Sequence, residues 1–199
     1  ILVTGGAGFI GSALSQQLLE NDVNVIVVDD LSTGHLENVP DGAQFIEGDL
    51  ADDQTYSKMD EYDTIGAVLH TAGQSSGEAS FDDPEHDFES HALATFKLLR
   101  WCHSSGIDRL VYASSMSVYG DPEYLPVDEV HPTDPKTYYA AGKLAAESYV
   151  NLFNNLSVDT TILRMFSIYG PGQNLGNMKQ GMVSIYLSYM LDRDHVLVK

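Results

Sequence analysis

Residues 1–12 read Ile1-Leu2-Val3-Thr4-Gly5-Gly6-Ala7-Gly8-Phe9-Ile10-Gly11-Ser12, a short apolar run that passes straight into glycines. An amphipathic stretch over 9–20 follows at once. A strand, a tight turn without side chains and a helix in immediate succession make an anion site from backbone alone. The helix's first N–H groups and its positive dipole end face whatever lies at the turn. Gly5 permits the turn, Gly8 allows phosphates to approach, and Gly11 lets the helix pack on the strand. A dinucleotide pyrophosphate meets that description. A glycine-rich turn without a ligand is the alternative, but strand before and helix after are the context the motif requires.

The next apolar run, 23–29, ends in Asp29-Asp30. A carboxylate at the end of the second strand accepts hydrogen bonds from the adenosine ribose and repels a 2′-phosphate. Asp29 therefore predicts NAD(H) over NADP(H); the same role for Asp30 stays open against a plain turn-forming aspartate.

The 199 residues suffice for one substantial α/β domain. Strand-like runs at 1–4, 23–29, 43–47, 65–70, 108–113 and 158–164 alternate with helix-like stretches at 9–20, 52–59, 85–104 and 136–155, and 178–191 reads as a further helix before strand-like 196–198. The runs are short and rich in β-branched residues, as strands buried on both faces tend to be. This alternation predicts a doubly wound (Rossmann) parallel sheet with helices on both faces, followed by the start of a small C-terminal substrate domain. The expected division is 1–170 for dinucleotide binding and 171–199 for the beginning of the substrate part.

The net charge of −19, from 29 acidic and 10 basic residues, opposes binding to nucleic acid or an anionic membrane. One cysteine, Cys102, excludes an intrachain disulfide and fits a reducing, cytoplasmic setting. No run approaches a membrane span, the N-terminus does not read as a signal peptide, and the seven histidines lack ligand spacing, so no metal is expected.

Ligands of such a sheet lie beyond the carboxyl ends of its strands. Asp49-Leu50 after the third strand can reach an adenine. Thr71-Ala72-Gly73 after the fourth are small enough for a cofactor to pass. Gln74-Ser75, next in line, begin either a substrate loop or an ordinary polar loop. Ser115 ends the fifth strand. Tyr139 and Lys143, four apart, share a face of the helix at 136–155. A free phenol is a poor base at neutral pH, and an adjacent ammonium favours its phenolate. Tyr139 is thereby a candidate to exchange a proton with a sugar hydroxyl, with Ser115 on the same oxygen and Lys143 on the nicotinamide ribose.

These segments, with Asp29 through Gly34, Val118-Tyr119-Gly120, Leu163-Arg164 and Tyr169-Gly170-Pro171, resemble the extended short-chain dehydrogenases/reductases. More narrowly, the chain is similar to the NAD-dependent nucleotide-sugar epimerase/dehydratase family. The resemblance runs the whole length and implies Ser115, Tyr139 and Lys143 as the catalytic set. It implies NAD contacts at Phe9, Ile10, Asp29, Asp30, Leu31, Ser32, Thr33, Gly34, Asp49, Leu50, the Ala72 loop and Phe166. It also implies a nucleotide-diphosphate sugar as substrate, contacted by Gln74, Ser75, Ser115, Tyr139 and Ser167.

Three departures bear on the reaction. Met116 and Ser117 stand where dehydratases of the family carry an acid, which favours epimerisation, at C4, over loss of water. His91 stands in place of an asparagine, and Ser167 in place of another that often touches the substrate diphosphate. Family members also have a longer C-terminal domain, so the chain reads as part of a larger enzyme. A dehydratase or reductase, or a non-catalytic NAD-binding module, are the competing readings. Helices 85–104 and 136–155 are apolar on more than one stripe, which predicts a homodimer through these two helices.

Overall fold

The computed structural model describes residues 1–62, 64–156, 158–176 and 181–192, with side chains to 191. Six parallel strands form one sheet: β1 (Leu2–Thr4), β2 (Ile26–Asp29), β3 (Gln44–Glu47), β4 (Val68–His70), β5 (Arg109–Ser115) and β6 (Asp159–Met165). Their order is β3-β2-β1-β4-β5-β6. The chain winds outward from β1 to one edge, then crosses over to β4 and winds to the other. This is the doubly wound dinucleotide fold, and its topological switch point opens between the carboxyl ends of β1 and β4.

The helices are α1 (Phe9–Glu20), α2 (Asp53–Met59), α3 (Pro84–Phe88), α4 (Ala94–Ser104), α5 (Tyr138–Asn154) and α6 (Met182–Asp192). Neighbours in β1 serve opposite faces. Leu2 joins a core with Leu98, Leu99, Val150 and Phe153 of α4 and α5. Val3 joins Val27, Leu18 and Leu19 on the α1 side. Each fully buried aliphatic side chain stabilises the fold by about 1.5–3 kcal/mol. Helix starts follow local chemistry. Asp52 accepts from the Gln54 N–H at 2.9 Å, Asp83 from that of His86 at 3.0 Å, and Thr137 from that of Ala140 at 3.1 Å, caps of about 1 kcal/mol each.

Several boundaries differ from the sequence reading. The strands read at 23–29 and 65–70 begin only at Ile26 and Val68, because both pair with Leu2 of a three-residue central strand. The strand read at 108–113 instead extends to Ser115, since β6 gives it a seven-residue partner. Burial on both faces fails at the edges: β3 and β6 alternate between covered and exposed residues, and Leu163 is 47 % exposed. The expected helix at 85–104 is two α-helical pieces joined by a π-helical turn, Glu89–Leu93. The helix expected from 136 starts at Tyr138 because Thr137 caps it. The helix expected from 178 is described from Met182, and the strand expected at 196–198 lies outside the described residues. Among the described residues no helix is long and apolar enough to cross a membrane.

Candidate active site

The switch point opens into a cleft walled by the glycine loop and the ends of β2, β3 and β4. Gly5 takes φ +69°, and a Cβ on Gly11 would lie 2.2 Å from the Gly5 carbonyl oxygen, so neither position accepts a side chain. Gly8 is the N-cap of α1, offers no side chain to its N–H groups, and no acidic residue occupies the first turn. The amides opening α1 are thus left for a ligand with negative charge.

Among the described residues, no lysine or arginine lines this cleft. Positive potential must come from the helix terminus and backbone. The fit to a dinucleotide is therefore specific: the diphosphate has a bare backbone cradle, and the opposite wall carries Asp29 and Asp30.

Asp29 is nearly buried, and its two oxygens accept from the Ala7 N–H at 3.0 Å and the Leu31 N–H at 2.9 Å. Burial pushes its pKa up, and these two N–H groups pull it back down. The carboxylate thereby ties the glycine loop to the end of β2, a structural duty that the sequence reading missed. Asp30 is exposed and accepts from the backbone and hydroxyl of Ser32 at 2.9 and 2.6 Å.

Most residues expected at the cofactor line the cleft: Gly5, Gly8, Phe9, Ile10 and Gly11 on one side, and Asp29, Asp30, Ser32, Thr33 and Gly34 on another. Asp49, Leu50, Thr71, Ala72 and Gly73 complete the run, with Gln74 and Ser75 at its end. Leu31 and Phe166 are not in the cleft wall. Leu31 adopts φ +58° at the turn, and Phe166 is 53 % exposed beyond β6. Ser167 is exposed as well. The sequence reading did not include His35, Asn38, His86, Ser90 or Ala94, which also face the cleft. Ser90 and Ala94 were legible in principle as one face of the helix after β4. Gly172, Gln173 and Asn174 reach the cleft from far along the chain, and no local pattern signals that.

Ser115, Tyr139 and Lys143 are not among the residues that wall the cleft. Ser115 closes β5, beside β4, and accepts two hydrogen bonds from Ser117, from its N–H at 3.2 Å and from its hydroxyl at 2.9 Å. With both of those directions used by incoming donors, the Ser115 proton is free to point elsewhere. Ser115 stands close enough to Tyr139 to pull the phenol's pKa down.

Lys143 is 5 % exposed, and its ammonium donates to the Ala113 carbonyl at 2.9 Å. The ammonium also lies 5.0 Å from the Tyr112 ring centre and 5.9 Å from that of Tyr139. Burial pushes Lys143 down to about 8, against the pull of Asp87 and Glu147.

The lysine, together with a positively charged nicotinamide, is expected to favour the phenolate of Tyr139; the protein's own groups shift that phenol upward. Burial is the largest cause, and the Asp87 carboxylate adds to it. The ammonium faces the aromatic rings and a carbonyl, so its field does not overcome desolvation.

His70, beneath the site, is fully buried between the hydroxyls of Thr4 at 2.7 Å and Thr95 at 2.9 Å, and burial pushes it down to about 3. Glu147 of α5 holds Arg164 of β6 through paired hydrogen bonds of 2.7–3.2 Å, fastening the helix that carries Tyr139 to the sheet.

A parallel doubly wound sheet with a bare glycine cradle, an acid closing its second strand and a serine–tyrosine–lysine group defines a dinucleotide-dependent short-chain dehydrogenase/reductase fold. Residues 1–199 match the model of the NAD dependent epimerase/dehydratase family. The chain belongs to that family.

A putative UDP-glucose 4-epimerase of Methanocaldococcus jannaschii is 38 % identical over 200 residues, covering 100 % of this chain and 65 % of the relative. The crystal structure of Thermus thermophilus UDP-glucose 4-epimerase in complex with NAD superposes with a TM-score of 0.86 and 37 % identity, covering 94 % of this chain and 60 % of that one. The Thermotoga maritima UDP-glucose 4-epimerase with UDP-glucose gives a TM-score of 0.90 at 32 % identity, covering 96 % and 62 %. The chain thus spans less than two thirds of the length of these relatives.

Proposed function

We propose that this chain carries the cofactor-binding and proton-transfer machinery of an NAD-dependent epimerase acting at C4 of a nucleotide-diphosphate sugar. The observation that supports it best is the convergence of Ser115, Tyr139 and Lys143, with the Lys143 ammonium 5.9 Å from the Tyr139 ring centre and Ser115 beside its phenol, and with Met116 and Ser117 following the serine. Epimerisation needs a base that takes the C4 hydroxyl proton as C4 is oxidised, rotation of the keto sugar, and return of that proton to oxygen as C4 is reduced on its other face. Elimination of water also needs an acid for the leaving hydroxyl, and no carboxylate stands at 116 or 117.

The bound dinucleotide supplies the hydride acceptor and donor that this chemistry requires. The protein's part is separate. The opening amides of α1 bind the diphosphate, and Asp29 and Asp30 face the adenosine ribose. Lys143 holds the nicotinamide ribose. Tyr139 takes the sugar hydroxyl proton at its phenol oxygen, and Ser115 orients that hydroxyl by hydrogen bonding. Burial keeps water from competing for the proton.

Residues 1–170 serve the cofactor, and residues from 171 begin the substrate-binding part. Gln74, Ser75 and Ser167, together with Ser115 and Tyr139, are the substrate contacts we assign from this chain. We place the enzyme in the cytoplasm, where the buried thiol of Cys102 stays reduced. It works as a homodimer through the exposed apolar side chains of α3 and α5.

The test is the full-length protein with NAD and a panel of UDP-, GDP-, CDP- and dTDP-sugars, followed by product mass and stereochemistry. Inversion at C4 without change of mass is the expected result. Loss of water, or no turnover of any member, would overturn the reading.

A further inference from the structure

Behind Tyr139 lies a pair of buried charged or chargeable groups that the mechanism above does not use. Asp87, on α3, and His91, in the π-helical turn, are 1 % and 0 % exposed at their side chains, with Oδ1 and Nε2 3.8 Å apart. The His91 ring meets the Tyr139 ring edge-on, with centres 5.2 Å apart and planes at 76°. Asp87 Oδ1 accepts from the Gln74 amide at 3.1 Å. Asp87 Oδ2 and both ring nitrogens of His91 have no well-formed hydrogen bond, although the Gln74 backbone is near enough to favour a charged ring. Buried polar groups are rarely left this way without a purpose.

The surroundings are shaped for the pair. A Cβ on Gly73 would lie 2.6 Å from His91 Cε1 and Nδ1. A Cβ on Gly142 would lie 3.1 Å from His91 Cβ and 3.3 Å from Asp87 Oδ2. Gly142 immediately precedes Lys143 and lies within one turn of Tyr139, so the pair packs against the very stretch of α5 that carries both. The π-helical turn accommodates one extra residue at this point of the helix.

We propose that Asp87 and His91 form a positioning pair for the reaction: His91 holds the Tyr139 ring in place, and Asp87 sets a buried carboxylate against the stretch of α5 that carries Tyr139 and Lys143. The His91 half rests on the epimerase reading; the Asp87 half does not. The groups around the pair act in a consistent way. Lys143 faces it from α5, His70 from β4 and His86 from α3. Burial, then Lys143, hold His91 far below its usual range, so the imidazole is neutral; burial also pushes Asp87 up, against the pull of Gln74, His86 and Lys143, and when ionised its carboxylate is the pair's anion. That anion raises both Tyr139 and Lys143. Removing it lowers the proton affinity of each, so the two effects add rather than cancel.

Ultraviolet difference titration of phenolate in the full-length protein tests this without substrate, with the Tyr139→Phe curve subtracted to isolate one tyrosine. Asp87→Asn is expected to move that titration down by about one pH unit. An unchanged titration in a folded variant overturns the role of Asp87. If Asp87→Asn does not fold, Asp87→Ser replaces it: the carboxylate is removed with a smaller polar side chain in its place, and an unchanged titration has the same meaning. In turnover assays, His91→Ala is expected to lower kcat about tenfold with little change in KM, and His91→Asn, which keeps a polar group there, to recover most of it. Equal kcat in His91→Ala and the parent overturns the role of His91. Absence of epimerase activity in the parent overturns the functional reading instead, and the titration still decides the role of Asp87.

Discussion

The hydroxyl of Ser117 donates to Ser115 Oγ at 2.9 Å, and the Ser117 backbone N–H donates to the same atom at 3.2 Å. Ser117 sits in the single turn of 3-10 helix, Met116–Tyr119, that follows β5. The residue that occupies a dehydratase's acid position is here used to aim the serine. One hydrogen bond contributes about 0.5–1.5 kcal/mol net, so Ser117→Ala should lower turnover by about two- to tenfold. Steady-state kcat on the full-length enzyme checks this. Unchanged turnover would mean that the backbone N–H alone orients Ser115.

NAD(H) should bind at least about tenfold more tightly than NADP(H). Asp29 and Asp30 place two carboxylates at the end of β2 with no lysine or arginine in the cleft wall, and a 2′-phosphate there meets only like charge. Titration of both cofactors by fluorescence or calorimetry decides it. Equal affinities would remove Asp29 from the ribose. Asp29→Ala should cost more than the ribose contact alone, since it also releases the glycine loop at Ala7.

Tyr139→Phe should reduce turnover by about 100-fold or more while NAD binding stays near that of the parent. The phenol oxygen carries the proton and little of the cofactor contact. Lys143→Ala should damage both if its ammonium serves the ribose as proposed, and it also removes the anchor on Ala113. Near-normal turnover in Tyr139→Phe would show that another group moves the proton.

Lys143 also predicts a pH dependence of stability in the cofactor-free protein. Its proton is held more weakly in the folded chain, with a pKa of about 8, than in the unfolded chain, near 10.5. Below pH 8 both states carry the charge, and the burial penalty is fully present. As pH rises from 8 towards 10.5, the unfolded state binds more protons, so stability rises. The shift corresponds to about 3 kcal/mol at most. Urea unfolding of the parent and of Lys143→Met at several pH values tests the sign. The parent should gain on the variant with rising pH, and a constant difference would refute the desolvated ammonium.

The full-length protein should sediment as a dimer at micromolar concentration, and more completely at higher salt. Phe88 is 59 % exposed, Leu152 52 % and Tyr149 38 %, an apolar surface across α3 and α5. Added salt screens the like charges that keep two acidic chains apart. A monomer at both low and high salt would remove this interface. Other apolar residues of the two helices, among them Ala92, Leu99, Trp101, Val150 and Phe153, are buried within the chain.

The sequence by itself determined the fold class and the cradle. Gly5, Gly8 and Gly11 announce a strand–turn–helix because each meets a local demand: a left-handed φ at one, a bare N-cap at another, no room for Cβ at the third. Tyr139 and Lys143 were legible for a similar reason, since four residues on a helix set a shared face without help from the rest of the chain. Tertiary structure alone decided the electrostatics. Whether Lys143 lowers the phenol depends on where its ammonium points, and packing against Tyr112 and Ala113 turns it towards a ring face and a carbonyl. The role of Asp29 as a staple for Ala7 depends on a contact across 22 positions. Asp87 and His91 lie four apart on one helical stretch, so their pairing is local, but their place behind Tyr139 depends on the close approach of two glycines from separate segments, Gly142 of α5 and Gly73 after β4. Local patterns record what a residue can do. The neighbours that change its charge come from distant parts of the chain, and only packing brings them together.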